Sequence, residues 1–390
     1  MRNREHVMTN GQLRVAMIGH KRIPSREGGV EIVVEELSTR MVQRGYAVTC
    51  FNRSGHHVSG KAFDGEKMGE YRGVRLRYVP TIDAKGLAAV SSSFFASVRA
   101  AFGRYDVVHY HAEGPCAMLW MAKLTGKRVV ATIHGLDHQR SDKWGRFARA
   151  YILLGEKMAA RLADEVIVLS ENAQKYFQTV YGRETVLIPN GVSRPEKREA
   201  EQIRRLFGLE KDEYILFLSR IVPEKGADYL IEAFKGLKTN KKLVIAGGAS
   251  DSQEYMNRLR QMAQGDSRIL FTDFVQGQVL EELYSNAWLY VLPSNLEGMP
   301  LTLLEAMSYG NCCLTSDIPE CREVTGDRAA AFRRGDAADL RAKMEMLLEK
   351  PDMVQDYKRG AAEFICGKYN WDDVVGRTLE LYQRKDKAKE

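Results

Sequence analysis

At 390 residues, with 44% hydrophobic and 28% charged side chains, the chain has the makeup of a soluble globular protein too long for one ordinary core. Its charge of +7 is uneven: residues 1–190 carry 28 Lys and Arg against 18 Asp and Glu, and the remainder 30 against 33. No apolar run approaches the roughly 18–20 residues that span a bilayer, the stretch MRNREHVMTN holds no apolar leader segment, and the six cysteines form no Cys-x-x-Cys pair, so neither disulfides nor a metal site is expected.

LRVAMIG (13–19) is an apolar run ending in glycine and reads as a buried first strand. The polar loop HKRIPSREGG leads into EIVVEELSTRMVQRG, whose apolar spacing is helical and which Gly45 stops. YAVTCFN, VRLRYVP, DVVHYHA, RVVATIHG and DEVIVLS follow as strands with helical stretches between several of them, and TVLIPNGV closes the series. This alternation implies a parallel sheet, so residues 1–192 are read as an amino-terminal Rossmann-like domain. SRPEKREAEQ (193–202) is charged and aperiodic, and is the expected junction.

A second alternation occupies 203–370: YILFLSR, a helix around ADYLIEAFKGL, KLVIAGG, the helix EYMNRLRQMAQ, RILFTDFV, AWLYVLP, a helix around LTLLEAM, and CCLTSD. Residues 371–390 read as a terminal helix, free by its pattern either to pack back onto the first domain or to stay with the second. The fold class is therefore α/β, two doubly wound halves whose strand ends face one cleft.

Gly28 and Gly29 stand between a strand and a helix, where the missing Cβ lets backbone N–H groups approach an anion. The pattern is neither Gly-x-Gly-x-x-Gly nor a Gly-Lys-Ser/Thr loop. Arg220 and Lys225 flank a Pro-Glu turn after a strand, a planar fork and a mobile charge that together suit a diphosphate; the plain alternative is a surface pair. Glu297 and Glu305 bracket Gly-Met-Pro after AWLYVLP, at the strand edge where open parallel sheets bind ligands. Pro300 suits the first turn of the helix that Gly310 stops. One carboxylate is suited to sugar hydroxyls and the other to a ribose diol. His134 ends a strand beside Gly135 and Asp137 and points at the same cleft. His109 and His111 alternate on a strand end and face one side, as acceptor-pocket candidates or plain sheet residues. No His/Cys cluster has zinc-ligand spacing.

The order of GGVE, the strand-end His134, IPNGV, SRIVPEKG and EGMPLTLLEA resembles glycosyltransferase family 4, retaining sugar transferases of the GT-B fold, over nearly the whole chain. The first half, with GHKRIPSREGGVEIVVEEL and HGLDHQRSDKWGRFA, resembles a bacterial subgroup that includes rhamnosyltransferases building surface polysaccharides. It departs from that pattern at Ile23 and Glu27. The resemblance implies that Arg220 and Lys225 bind the donor diphosphate, Glu297 the donor sugar and Glu305 the ribose. Met299, Pro300 and Leu301 would sit near sugar and phosphate, Gly28 and Gly29 would close on the phosphates, and His134 would contact the sugar near the reacting carbon. Val275 in FTDFV would face the base, and Gly247 and Gly248 would line the nucleotide cleft. His109, His111 and Asp137 are assigned to the acceptor side.

The expected reaction is metal-independent transfer from a UDP- or dTDP-sugar, dTDP-rhamnose among them, to a glycan or lipid-linked acceptor, with the nucleotide sugar a substrate and no cofactor. Arg220, Lys225 and the helix start would meet the charge developing on the leaving diphosphate. KWGRFARAYILLGEKMAARLA mixes Trp144, Phe147, Tyr151 and Leu153 with Arg146, Arg149, Lys157 and Arg161, a basic amphipathic pattern that suits an anionic membrane as well as an ordinary domain face. A cytoplasmic protein at the inner face of the cell membrane is the expected setting. Alternatives are a GT-B sugar-nucleotide epimerase, a non-catalytic membrane or nucleic-acid binder, and a silent partner subunit. No RNA-binding or helix-turn-helix signature supports nucleic acid.

Overall fold

Short runs buried on both faces, such as RVAMI and YILFL, form the central strands of two sheets. The structure, a computed structural model, describes residues 13–56, 67–82, 84, 86–139, 145–249 and 253–384. The first sheet holds β1 (Arg14–Ile18), β2 (Ala47–Arg53), β3 (Glu70–Tyr71), β4 (Val74–Val79), β5 (Val107–His111), β6 (Arg128–Ile133), β7 (Glu165–Val168) and β8 (Val186–Leu187) in the order β3-β4-β2-β1-β5-β6-β7-β8. The second holds β9 (Tyr214–Leu218), β10 (Lys242–Ala246), β11 (Ile269–Asp273), β12 (Leu289–Leu292), β13 (Cys313–Ser316) and β14 (Ala330–Phe332) in the order β11-β10-β9-β12-β13-β14. Every pairing is parallel except β3 with β4, an antiparallel edge that the expected all-parallel sheet lacked. Arg72 and Gly73, both at positive φ, turn the chain there within two residues.

The strand order reverses at β1, which pairs with β2 on one side and β5 on the other, and again at β9, between β10 and β12. In doubly wound sheets a crevice opens beyond the carboxyl ends of strands at such a reversal. The loops after β1, β5, β9 and β12 therefore border the two crevices. The helix Gly29–Gln43 buries Val33, Val34, Leu37 and Met41 along one stripe. Its core continues through Val375 and Tyr382 to Leu216 and Leu304 of the second half.

The chain crosses between the halves twice. After the second sheet, Val192 N donates to Tyr369 O at 2.9 Å, and the helix Trp371–Gln383 lies on the first half. There Arg128 Nε donates to Leu381 O at 2.8 Å, Gln383 to the Tyr46 hydroxyl at 2.7 Å, and Arg44 pairs with Asp372 at 2.9 Å. Among the described residues no helix is long and apolar enough to cross a membrane. Of the expected membrane-facing stretch, Trp144 lies outside the described residues. On the helix Arg146–Leu162, Phe147 (94% exposed) and Leu154 look outward among Arg146, Arg149, Lys157 and Arg161. Tyr151 and Leu153 are half-buried, so the outward apolar pair is Phe147 with Leu154.

Candidate active site

The loops after β9 and β12 are pressed together. A Cβ on Gly226 would stand 2.2 Å from Pro293 O, so only glycine, here at φ +67°, lets the two turns meet. That contact places Lys225 Nζ 2.5 Å from Glu297 Oε1, which also accepts from Ser294 Oγ at 2.6 Å. Both side chains are buried, at 10% and 5% exposure. Arg220 is half-buried in the same loop and makes no ion pair among the described residues. The helix Leu301–Ser308 starts just beyond, with Pro300 as its flanking residue rather than in its first turn. Pro300 O receives Leu303 N and Leu304 N. Glu305 lies inside this helix and takes a hydrogen bond from the Tyr284 hydroxyl on Oε2 at 3.1 Å.

The first half meets this surface directly. Arg26 Nη1 reaches Glu305 Oε1 at 2.5 Å, and a Cβ on Gly29 would stand 3.2 Å from Leu301 Cδ1. Asn190 N donates to Met299 Sδ at 2.9 Å, and Asn172 Nδ2 to Glu320 Oε1 at 3.0 Å. Gly298 faces the end of β6, where a Cβ would stand 1.8 Å from His134 O. The hollow left between Leu136 and Ser170 on one side and Glu297 and Glu320 on the other measures about 10 Å³. Room for about one water remains.

Behind His134 lies a line of buried rings. His111 Nδ1 and His134 Nε2 share a hydrogen bond of 3.1 Å, and His109 stacks on His111 with centroids 4.2 Å apart. His109 is not an acceptor-pocket residue. It is fully buried, with one ring nitrogen on the Tyr382 hydroxyl at 2.6 Å and the other on Thr132 Oγ1 at 2.7 Å, because the terminal helix covers it. Among the described residues, buried His20 Nδ1 and His111 Nε2, at the adjoining ends of β1 and β5, find no hydrogen-bond partner. Burial depresses all four rings: His20 and His134 to about 4, His109 to about 3 and His111 well below 6.5. His134 is thus a neutral hydrogen-bonding ring at working pH.

A pH prediction follows. The unfolded chain takes protons on these rings below 6.5, whereas the folded chain refuses them until about 4 at His20 and His134. The contribution of these rings to stability is therefore full above 6.5 and is lost as pH drops toward 4, by on the order of 3 kcal/mol for each of those two rings. Urea midpoints should be clearly lower at about pH 5 than at about pH 7. Equal midpoints would show that the rings charge freely in the fold.

Asp137 sits in the turn after His134, and its N–H donates to Glu113 Oε2 at 2.9 Å. Glu113, His138 and Glu156 bring three possible ligand atoms within 4.8 Å of one another, a grouping that sequence spacing did not reveal. Hydrogen bonding accounts for it. Glu156 accepts from Tyr176 at 2.8 Å and Tyr181 at 2.5 Å and pairs with His138 at 2.9 Å. Burial, then the charges of Asp137 and Glu156, push Glu113 well above the usual carboxylate range. Burial opposes ionisation of Glu156 too, but its hydrogen bonds outweigh that and hold it low. Glu113 keeps the proton, Glu156 the charge, and the turn carrying Asp137 hangs from this pair.

The remaining expected residues lie on other loops. Gly247, at φ +147°, passes so close to β9 that a Cβ would stand 1.8 Å from Ser219 O, and its N–H donates to Asp273 O at 2.9 Å. Those contacts account for the glycine without a ligand. Gly248 O accepts from Ile221 N at 3.0 Å. Val275 is partly buried against the core beyond β11. Gly28 is extended at φ −174°, and the helix begins at Gly29. Arg26, Tyr284, Ser294 and His20 were missed. Of these, only Arg26 carried a signal, as a cation three residues before the helix start.

Residues 27–194 match the family described as Glycosyltransferase Family 4, and residues 199–364 match Glycosyl transferases group 1. A D-inositol 3-phosphate glycosyltransferase from Gordonia bronchialis is 26% identical over 415 residues, covering 97% of this chain and 90% of that one. In fold, the chain is similar to sucrose-phosphate synthase from Thermosynechococcus elongatus (TM-score 0.77, 20% identity, 95% and 98% coverage). It is also similar to Anabaena HepE, solved in complex with UDP-glucose (TM-score 0.78, 17% identity, 95% and 100% coverage).

Proposed function

The chain belongs to the family 4-like GT-B glycosyltransferases, and from that premise we propose that it moves a sugar, with retention and without a metal, from a nucleoside-diphosphate donor to a glycan or lipid-linked acceptor. The observation that carries this reading is the junction after β9 and β12. There Lys225 pairs with Glu297, Arg220 comes from the same loop after β9, and Glu305 lies one turn into the next helix. Cations fixed there meet the charge that develops on the departing diphosphate, a contribution of about 2.7–4 kcal/mol per preorganised donor. Glu297 serves the donor sugar and Glu305 the ribose. Gly28 and Gly29 meet the phosphates, and neutral His134 the sugar near the reacting carbon. His20 Nδ1 and His111 Nε2 offer unpartnered nitrogens nearby for an acceptor hydroxyl.

The hollow of about 10 Å³ beside Glu297 and Gly298 admits no sugar, so on this reading the halves part there for the donor sugar to enter and close again for transfer. The UDP-glucose bound by the HepE relative favours a UDP-sugar. The subgroup resemblance of the first half favours dTDP-rhamnose and surface polysaccharide synthesis. Contact with an anionic membrane through Phe147, Leu154 and the arginines around them would bring a lipid-linked acceptor within reach. A thermal-shift panel of UDP-, dTDP-, GDP- and ADP-sugars tests the reading. One nucleotide family should raise the melting temperature through binding linkage, and the donor alone should yield no new sugar. A flat panel would remove the proposal, and a rearranged donor would turn it into the epimerase.

Arg26 gives a sharper expectation, because it occupies the carboxylate oxygen that a ribose would take. Arg26→Gln should tighten binding of the free nucleoside by up to about fivefold, the worth of a part-exposed ion pair. The nucleoside diphosphate should gain less or lose, since the freed guanidinium would otherwise turn to the phosphates. Calorimetric titration of both ligands checks this, and equal weakening of both would contradict it.

A further inference from the structure

The basic character of the first half is not used up by the cleft. A cavity of about 420 Å³ lies between β4 and the turn that joins the helix Leu87–Phe102 to β5, lined by Phe51, Arg75, Arg77, Arg99, Arg104 and Tyr105. Strand alternation puts two of the arginines there. Val74 and Leu76 of β4 are buried on one face, and Arg75 and Arg77 are exposed on the other. Arg99 comes from the last turn of the helix and donates to Tyr78 O at 2.8 Å. Lys127 adds a fifth cation at the rim by donating to Gly103 O at 2.9 Å. The floor is apolar, with Phe51 edge-on to Tyr105 at 6.0 Å.

Elsewhere this chain pairs its arginines with carboxylates, as in Arg14–Asp106 at 2.8 Å and Arg268–Asp266 at 2.6 Å. Among the described residues, none of the four arginines lining this cavity has a carboxylate partner. Four guanidinium groups around one hollow repel each other unless an anion or water screens them. Their planar forks match an anion with several oxygens better than a lone carboxylate. The hollow lies on the flank of the sheet toward its amino-terminal edge, whereas Gly28, Gly29 and His134 lie beyond the carboxyl ends of β1 and β6. It is a different place from the donor cleft.

We propose that this hollow is a second anion site that takes a phosphate or diphosphate group, either free or as the headgroup of an anionic lipid. Phe102, 84% exposed and next to the turn that forms one wall, gives the site an apolar lip that suits the lipid source. The test compares the wild type with Arg77→Glu/Arg104→Glu, exposed positions whose change leaves the core untouched. One arm titrates inorganic diphosphate by calorimetry at low salt, and the other sediments the protein with phosphatidylcholine vesicles with and without phosphatidylglycerol. We expect the wild type to pellet only with the anionic vesicles and to bind one more diphosphate per chain than the variant, with both differences shrinking as salt rises. A change in the diphosphate arm alone would assign the site to a soluble phosphate. Equal behaviour of wild type and variant in both arms overturns the proposal. An unchanged melting temperature shows that the variant is folded; should it fall, Arg77→Gln/Arg104→Gln replaces it in the same two arms.

Discussion

Lys225→Ala is expected to remove most transfer activity and a measurable part of the stability as well. Lys225 Nζ lies 2.5 Å from Glu297 Oε1, and the two side chains are 10% and 5% exposed. Losing a preorganised cation from beside the leaving diphosphate costs about 10²–10³ in kcat. The same change leaves Glu297 buried with Ser294 as its one remaining partner among the described residues, and breaking a buried pair in this one-sided way costs about 3–5 kcal/mol. The double variant Lys225→Met/Glu297→Gln removes both charges together. It should regain much of the stability while staying inactive. Urea unfolding and single-turnover transfer, measured on both variants, separate the two effects. Near-normal turnover in the single variant would take Lys225 out of the chemistry, and equal stability losses in both would show that the pair is not coupled.

Gly298→Ala should leave each half folded and still cut transfer by about two orders of magnitude, the usual cost of misplacing reacting groups by around an ångström. A Cβ there would stand 1.8 Å from His134 O and 2.8 Å from Gly135 Cα, so it cannot exist while the cleft is shut as observed. Gly298 does not adopt a positive φ, so alanine adds no backbone strain, only this contact across the gap. The expected signature is a large drop in kcat with a smaller change in nucleotide affinity, because the side chains proposed for the ribose and diphosphate, Glu305, Arg220 and Lys225, all belong to the second half and only Gly28 and Gly29 would reach the phosphates across the gap. Unchanged kcat would mean that transfer does not need the approach of Gly298 to His134.

The parts of this architecture that were legible in the sequence are those encoded locally. Runs such as RVAMI and KLVIA announce buried strands, and Gly-Met-Pro before an apolar helical stretch announces a loop and a helix start. Arg220, Lys225 and Glu297 could be picked out because each stands in the loop after a strand, and Glu305 because it lies in the helix that follows. What could not be read is pairing over long sequence separations. Arg26 and Glu305 are 279 positions apart, and His109 and Tyr382 are 273 apart. Nothing around His109 signals that the terminal helix will bury it, so a strand-end histidine looked like a ligand-binding one. The Glu113–His138–Glu156 group was hidden for the same reason, because three elements assemble it. Gly247, expected to line the nucleotide cleft, is also required by the chain itself, because a Cβ there would stand 1.8 Å from Ser219 O, and sequence alone does not separate the two needs.

A crystal structure of the chain with the nucleoside diphosphate that stabilises it best would test the account most directly. It should show the diphosphate within hydrogen-bonding distance of Arg220 and Lys225, ribose hydroxyls on Glu305, and Arg26 moved off that carboxylate. A nucleotide seated elsewhere, with the Arg26–Glu305 and Lys225–Glu297 pairs both undisturbed, would contradict the assignment of this cleft as the donor site.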